Sequence, residues 1–222
     1  MRKIIGFNAA PYFYFEQARI SFTTLILSMK TLLYSVLLLL FSCSKVDALL
    51  DQKLSKDLSA TTHYVIKSGE HAVANNTYKV IETDSLQFSV RFDSTAIYQT
   101  ITKENQYDIN KLYGFADNAS DHHQYSARFG WAWHDAALHL YAYVYNEGKR
   151  GLKHLGTVPI GAEVACTIAV TPTQYVFHYG DVRETVPRSS TTPKAKGYLL
   201  YPYFGGDETA PHNINIWIRH LY

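Results

Sequence analysis

The stretch FGWAWHDAALHLYAYVY, Phe129 to Tyr145, holds two tryptophans, a phenylalanine and three tyrosines among small and aliphatic residues. Its alternation of large and small residues has the period of two that marks β-strands. If Asp135 and Ala136 form a two-residue turn, Trp133 pairs with Leu138, Trp131 with Leu140 and Phe129 with Ala142. Cross-strand partners share a face, so these six side chains form one core surface. On the reverse face Ala132 meets His139, Gly130 meets Tyr141 and Arg128 meets Tyr143. Small residues on one strand beside rings on the next make a trough floored by Gly130 and Ala132. Lengthening the turn by two residues changes the diagonal neighbours but not the faces.

The same period recurs along the chain. LQFSVRF sets Leu86, Phe88, Val90 and Phe92 against Gln87, Ser89 and Arg91. VACTIAV alternates Val164, Cys166, Ile168 and Val170 with smaller residues, which places Cys166 as a small core residue. QYVFHYGDVRETV sets Gly180-Asp181 between two runs, a hairpin. INIWIRHLY closes with Ile214, Ile216 and Ile218 on one side and Asn215, Trp217 and Arg219 on the other. Turn signals recur between the runs, and no long segment has a 3.6-residue period. The expectation is an all-β, two-sheet antiparallel jelly-roll sandwich over residues 62–222.

The 222 residues are 47% hydrophobic and 14% aromatic, enough for one ordinary core. Residues 1–43 hold Arg2, Lys3, Arg19 and Lys30 against Glu16; without them 17 basic and 18 acidic residues remain. No long basic run is left, so nucleic acid is not an expected partner. From Met29, MKTLLYSVLLLLFSCSK gives a lysine, an apolar run from Leu32 to Phe41 and then Ser42-Cys43. That order is a secretory signal, and the run is about half the ~20 residues of a membrane-spanning helix. LFSC resembles the lipobox of bacterial lipoproteins, which implies acylation at Cys43 and a true start at Met29. A cleaved ordinary signal and a buried apolar segment are the alternatives. Residues 44–61 read as a polar tether. The resulting address is secretion across the inner membrane and lipid anchorage in the bacterial outer membrane or cell surface.

Two blocks, YDINKLYGFADNASDHHQYSARFGWAW (Tyr107 to Trp133) and GYLLYPYFGGDETAPHNINIWI (Gly197 to Ile218), join the cysteine start in a resemblance. Together they resemble surface lipoproteins of Bacteroidota-type bacteria whose domains look like concanavalin A-like jelly rolls. That fold is shared by legume lectins, laminin G modules, glucanases and lyases. The chain departs from the enzymes on this fold. It lacks the E-x-D-x-x-E run of the hydrolases, and the strand-borne arginine and Gln-x-His patterns of the alginate lyases.

The trough suits a sugar, because pyranose C–H patches lie on aromatic rings while Arg, His and Tyr bond hydroxyls. Expected ligand-binding residues are Arg128, His139, Tyr141 and Tyr143, together with His122 and His123. Packing of this face under another layer is the alternative. A lyase reading would use His139 or Tyr141 as base and Arg128 to stabilise the enolate-like charge. His122 and His123, with Asp117 and Asp121 close in sequence, have zinc-ligand chemistry, although adjacent residues seldom share one ion. Asp207 and Glu208 in FGGDETAPHN are candidate ligands for a structural calcium, or else turn-forming residues.

Overall fold

A computed structural model describes residues 60–221. The signal segment, Met29, Cys43 and all of the tether before residue 60 lie outside the described residues. Twelve strands follow: β1 Thr61–Ile66, β2 Val80–Thr83, β3 Ser85–Phe92, β4 Asn110–Ala116, β5 Ser126–His134, β6 Ala137–Asn146, β7 Lys149–Val158, β8 Glu163–Val170, β9 Gln174–Tyr179, β10 Val182–Pro187, β11 Ala195–Leu200 and β12 Ile214–Leu221. They form two six-stranded antiparallel sheets, ordered β1-β12-β3-β8-β9-β10 and β2-β11-β4-β5-β6-β7. This is the two-layer jelly roll that the alternation implies.

The core lies where the two sheets face each other, and the odd-even pattern of each strand selects its members. Phe88, Val90 and Phe92 of β3 and Ile214, Ile216 and Ile218 of β12 are buried from the first sheet. Phe129, Trp131, Leu138 and Leu140 meet them from β5 and β6 of the second. Phe88 stands edge-on to Phe129 at 5.6 Å, and Phe92 tilts against Trp131 at 5.3 Å. Cys166 is free and buried among them, and burial pushes its thiol up, away from nucleophilic use.

The opening hairpin has the expected register. Trp133 pairs with Leu138, Trp131 with Leu140, Ala132 with His139, Gly130 with Tyr141 and Arg128 with Tyr143. Asp135 and Ala136 occupy the turn at φ 48° and 58°. Two consecutive left-handed residues match a type I′ turn, whose twist fits the strands it joins. Alanine carries a steric cost there that glycine does not. Ala136→Gly therefore raises stability by roughly 0.5–1 kcal/mol, read from the denaturation midpoint.

A buried ion pair ties the two layers together. Asp117, just past β4 of the second sheet, receives Arg188 Nε at 2.7 Å, and neither side chain is exposed. Tyr175 Oη, from β9 of the first sheet, donates to the same carboxylate oxygen at 2.7 Å. The backbone N–H groups of Asn118 and Lys196 donate to the other oxygen. Burial alone would push the Asp117 carboxyl up; the Arg188, Tyr175 and backbone hydrogen bonds outweigh it and hold it below its ordinary value. Asp117 is thus committed to this clamp and does not join His122 and His123.

Candidate functional site

The outer face of the second sheet carries the polar side chains of the opening hairpin. On β5 these are Ser126, Arg128 and His134, and on β6 they are His139, Tyr141, Tyr143 and Tyr145. Strand β7 adds Arg150 opposite Tyr145, Leu152 opposite Tyr143 and His154 opposite Tyr141. Strand β4 adds Lys111 opposite Gly130, just before a register shift that ends at Gly114. Past β11 the chain continues antiparallel to β4, and Tyr203 exchanges backbone hydrogen bonds with Lys111.

The trough differs from the sequence expectation in one respect. A Cβ built on Gly130 would stand 2.6 Å from Ile109 Cγ2. The space that the missing side chain leaves is filled by Ile109, an apolar residue of the segment entering β4. This divides the expected site into two parts, with Arg128 and Tyr143 on one side and Tyr141 and His139 on the other.

The first part is a cleft of about 690 Å³ lined by Arg128, Tyr143, Tyr145, Lys111, Arg150, Tyr198 and Tyr203, with His122 and His123 at its rim. It lies on the face away from the opposing sheet. Arg128 is 7% exposed, and its Nε has no hydrogen-bond partner. Burial lowers this guanidinium to about 10; the hydroxyls of Tyr143, Tyr145, Tyr198 and Tyr203 act in its favour. Lys111 is lowered to about 8, first by burial and then by the neighbouring charge of Arg128. Its Nζ sits 5.5 Å from the Tyr143 ring and 5.8 Å from the Tyr203 ring. Tyr143 is raised to about 12, chiefly by burial and then by Tyr145. No Asp or Glu lines the cleft among the described residues. Ser126 Oγ, two residues from Arg128 on the same face, is also buried without a partner.

The second part is a histidine cluster toward the hairpin tip. His134 donates from Nδ1 to Asp135 Oδ2 at 3.0 Å, which leaves Nε2 to accept from Tyr141 Oη at 2.8 Å. His139 stacks on His134 at 3.9 Å and shares a hydrogen bond of 2.9 Å with His154. Burial, and then the neighbouring His134 and His154, push His139 down. Its Nε2 is buried without a partner.

Glu208 shapes its loop through hydrogen bonds. Its carboxylate takes the backbone N–H groups of Ile101 and Thr102, each at 2.7 Å, and Asn105 Nδ2 at 2.9 Å. Asp207 beside it is exposed.

Lys111, Arg150, Tyr198 and Tyr203 belong to the cleft but carry no local sign of it. Tyr198 and Tyr203 stand within the quoted YLLYPY run, yet only the pairing of β11 and its extension with β4 brings them beside Arg128.

No family model matches the sequence, and no curated protein matches it. Solved structures do. The chain is similar to a glycoside hydrolase family 16 endo-glucanase from Bacteroides ovatus, with a TM-score of 0.50 and 11% identity over 73% of this chain and 81% of that one. An alginate lyase from Chlorella virus aligns at TM-score 0.45 and 11% identity, over 73% and 86% of the two chains. A carbohydrate-binding module from Bacillus subtilis aligns at 0.38 and 7%, over 69% and 80%. At such identities the likeness is one of fold, and with two antiparallel sheets of six strands the domain is a concanavalin A-like jelly roll.

Proposed function

We propose that the domain binds an acidic glycan in the Arg128 cleft, with a sugar carboxylate set against Arg128 and Lys111 and pyranose faces against the tyrosine walls. One observation carries this reading. Buried polar atoms are normally paired, yet Arg128 Nε in this cleft, and Ser126 Oγ two residues before it on the same face, are buried without partners. Asp108 acts in favour of the Lys111 charge, but the lining itself holds no carboxylate, and two neighbouring cations there are costly unless an anion joins them. The endo-glucanase with the same fold acts on a sugar polymer, in keeping with a saccharide as the anion's carrier. The Cys43 lipobox and the tether supply the membrane anchor in this reading, holding the domain at the bacterial outer membrane or cell surface.

Lys111 gives the binding a pH signature. Its charged form is the one that attracts the carboxylate, and in the free protein it loses its proton at about 8. Affinity of the full chain for a uronate oligosaccharide, measured by calorimetry, is therefore flat with respect to Lys111 from about 5, where the sugar carboxylate is ionised, to about 8. Above that value it falls, up to about tenfold per pH unit. Affinity that does not change through this range would remove Lys111 from the site.

Catalysis by β-elimination is the second reading, favoured by the Asp135–His134–Tyr141 chain of hydrogen bonds. In it His134 would take the Tyr141 proton and the phenolate oxygen would remove the proton α to the carboxylate; the β C–O bond would break as the C=C bond forms, the reprotonated Tyr141 would give its proton to the leaving oxygen, and His134 would return the proton it holds to Tyr141. Unsaturated ends released from polyuronates would support it. Paired-carboxylate hydrolysis has no counterpart, because it needs two acids facing one bond about 5–10 Å apart and the cleft lining has none.

A further inference from the structure

At the rim of the cleft the loop between β4 and β5 brings together Asp121, His122 and His123, whose ligand atoms all lie within 4.8 Å of one another. His123 Nδ1 is 3.5 Å from Asp121 Oδ1, and His122 Nδ1 is 3.8 Å from Asp121 Oδ2. Three donors around one zinc ion, each at about 2.0–2.2 Å, stand roughly 3.3–3.6 Å apart. The carboxylate–imidazole spacings are therefore within a small side-chain rotation of a coordination shell. We infer that Asp121, His122 and His123 form a binding site for a zinc-type divalent ion.

Sequence neighbours seldom ligate one ion because an extended backbone points them to opposite sides. Here the backbone is a turn: the N–H groups of Gln124 and Tyr125 both reach Asp121 O, and the two imidazole rings end 4.1 Å apart. The turn is also held in place. Asp121 Oδ1 accepts from His123 N, and His122 holds Tyr198 Oη on β11 through its N–H and through Nδ1 at 3.0 Å, the second of which an ion would replace. The Asp117 clamp fixes the chain four residues upstream.

The donor set selects the metal. Two imidazoles and one carboxylate suit zinc, nickel or copper, whereas calcium and magnesium take oxygen. Three protein ligands leave a coordination position free, as in sites that hold an exchangeable water or ligand. The exposures of the three side chains, 61%, 29% and 65%, leave that position reachable from solvent. The site does not depend on the glycan reading.

The test is equilibrium dialysis of the full chain, without a polyhistidine tag, against zinc chloride. Cobalt chloride in a second series supplies a visible d–d spectrum. One zinc per chain is expected, unaffected by excess calcium. His122→Ala and His123→Ala should each weaken binding at least tenfold and abolish the cobalt spectrum. Asp121→Asn, which keeps an acceptor for the His123 N–H, should weaken it as well. His139→Ala and His154→Ala are the controls, because they disrupt the other histidine cluster, and they should leave binding unchanged. Absence of stoichiometric zinc, or zinc that persists in the His122 and His123 variants, would overturn the site. So would its loss in the His139 and His154 controls.

Discussion

Arg128→Met makes the protein more stable and strongly weakens its binding of acidic saccharide. The two effects have one cause. Arg128 is buried, its Nε is unpartnered and the groups that offset its charge are tyrosine hydroxyls. A buried charge without a counterion opposes folding, and methionine keeps the length of the stem while removing the cation. The expected gain is about 1–3 kcal/mol in denaturation free energy. The expected loss of affinity is about 2–5 kcal/mol, between roughly 30-fold and several thousand-fold. A residue retained only for packing would give neither result. Stability given up at a site in favour of a ligand is the general pattern where function opposes folding.

Asp117→Asn has the opposite consequence. It preserves shape but leaves Arg188 as an uncompensated charge with no exposure to water. Breaking one half of a buried pair costs about 3–5 kcal/mol. The clamp joins Tyr175 of one sheet to the β4 and β11 ends of the other, so the loss appears as a lower denaturation midpoint for the whole domain. Replacing both partners by apolar residues, Asp117→Leu with Arg188→Met, should cost less than the two single changes added together. The pair also sets an acid limit. The Asp117 carboxyl is held below its ordinary 3.8, so its contribution is fully present above that value. It is lost as pH falls through the lower value that the carboxyl has in the fold. In Asp117→Asn this part of the acid dependence is absent.

The legible parts of the molecule are those written in short-range alternation. The β5–β6 hairpin, its turn at Asp135-Ala136 and the buried sides of β3, β8 and β12 follow from a period of two and from turn chemistry. Arg128 and Tyr143 follow too, because cross-strand partners share a face. What the alternation does not encode is the register between distant strands. Lys111 reaches Arg128 through the β4 irregularity, and Tyr203 through a backbone exchange that spans 92 positions from Lys111. Ile109 closes the floor at Gly130, and nothing near either residue announces the other. Glu208 bonds Ile101 and Thr102 across 107 and 106 residues, and Arg188 meets Asp117 across 71. Each of these depends on how the sheets are ordered, which local pattern leaves open.

The electrostatic logic of the outer face rests on one premise, that its cations await a carboxylate. The most direct measurement is calorimetric titration of the full chain with a uronate oligosaccharide beside its carboxyl-reduced twin, which has the same rings and linkages with neutral CH₂OH groups. The account predicts saturable binding of the acid form and at least a tenfold weaker response to the reduced form. Equal affinity for the two, or none for either across a panel of polyuronates, would contradict it.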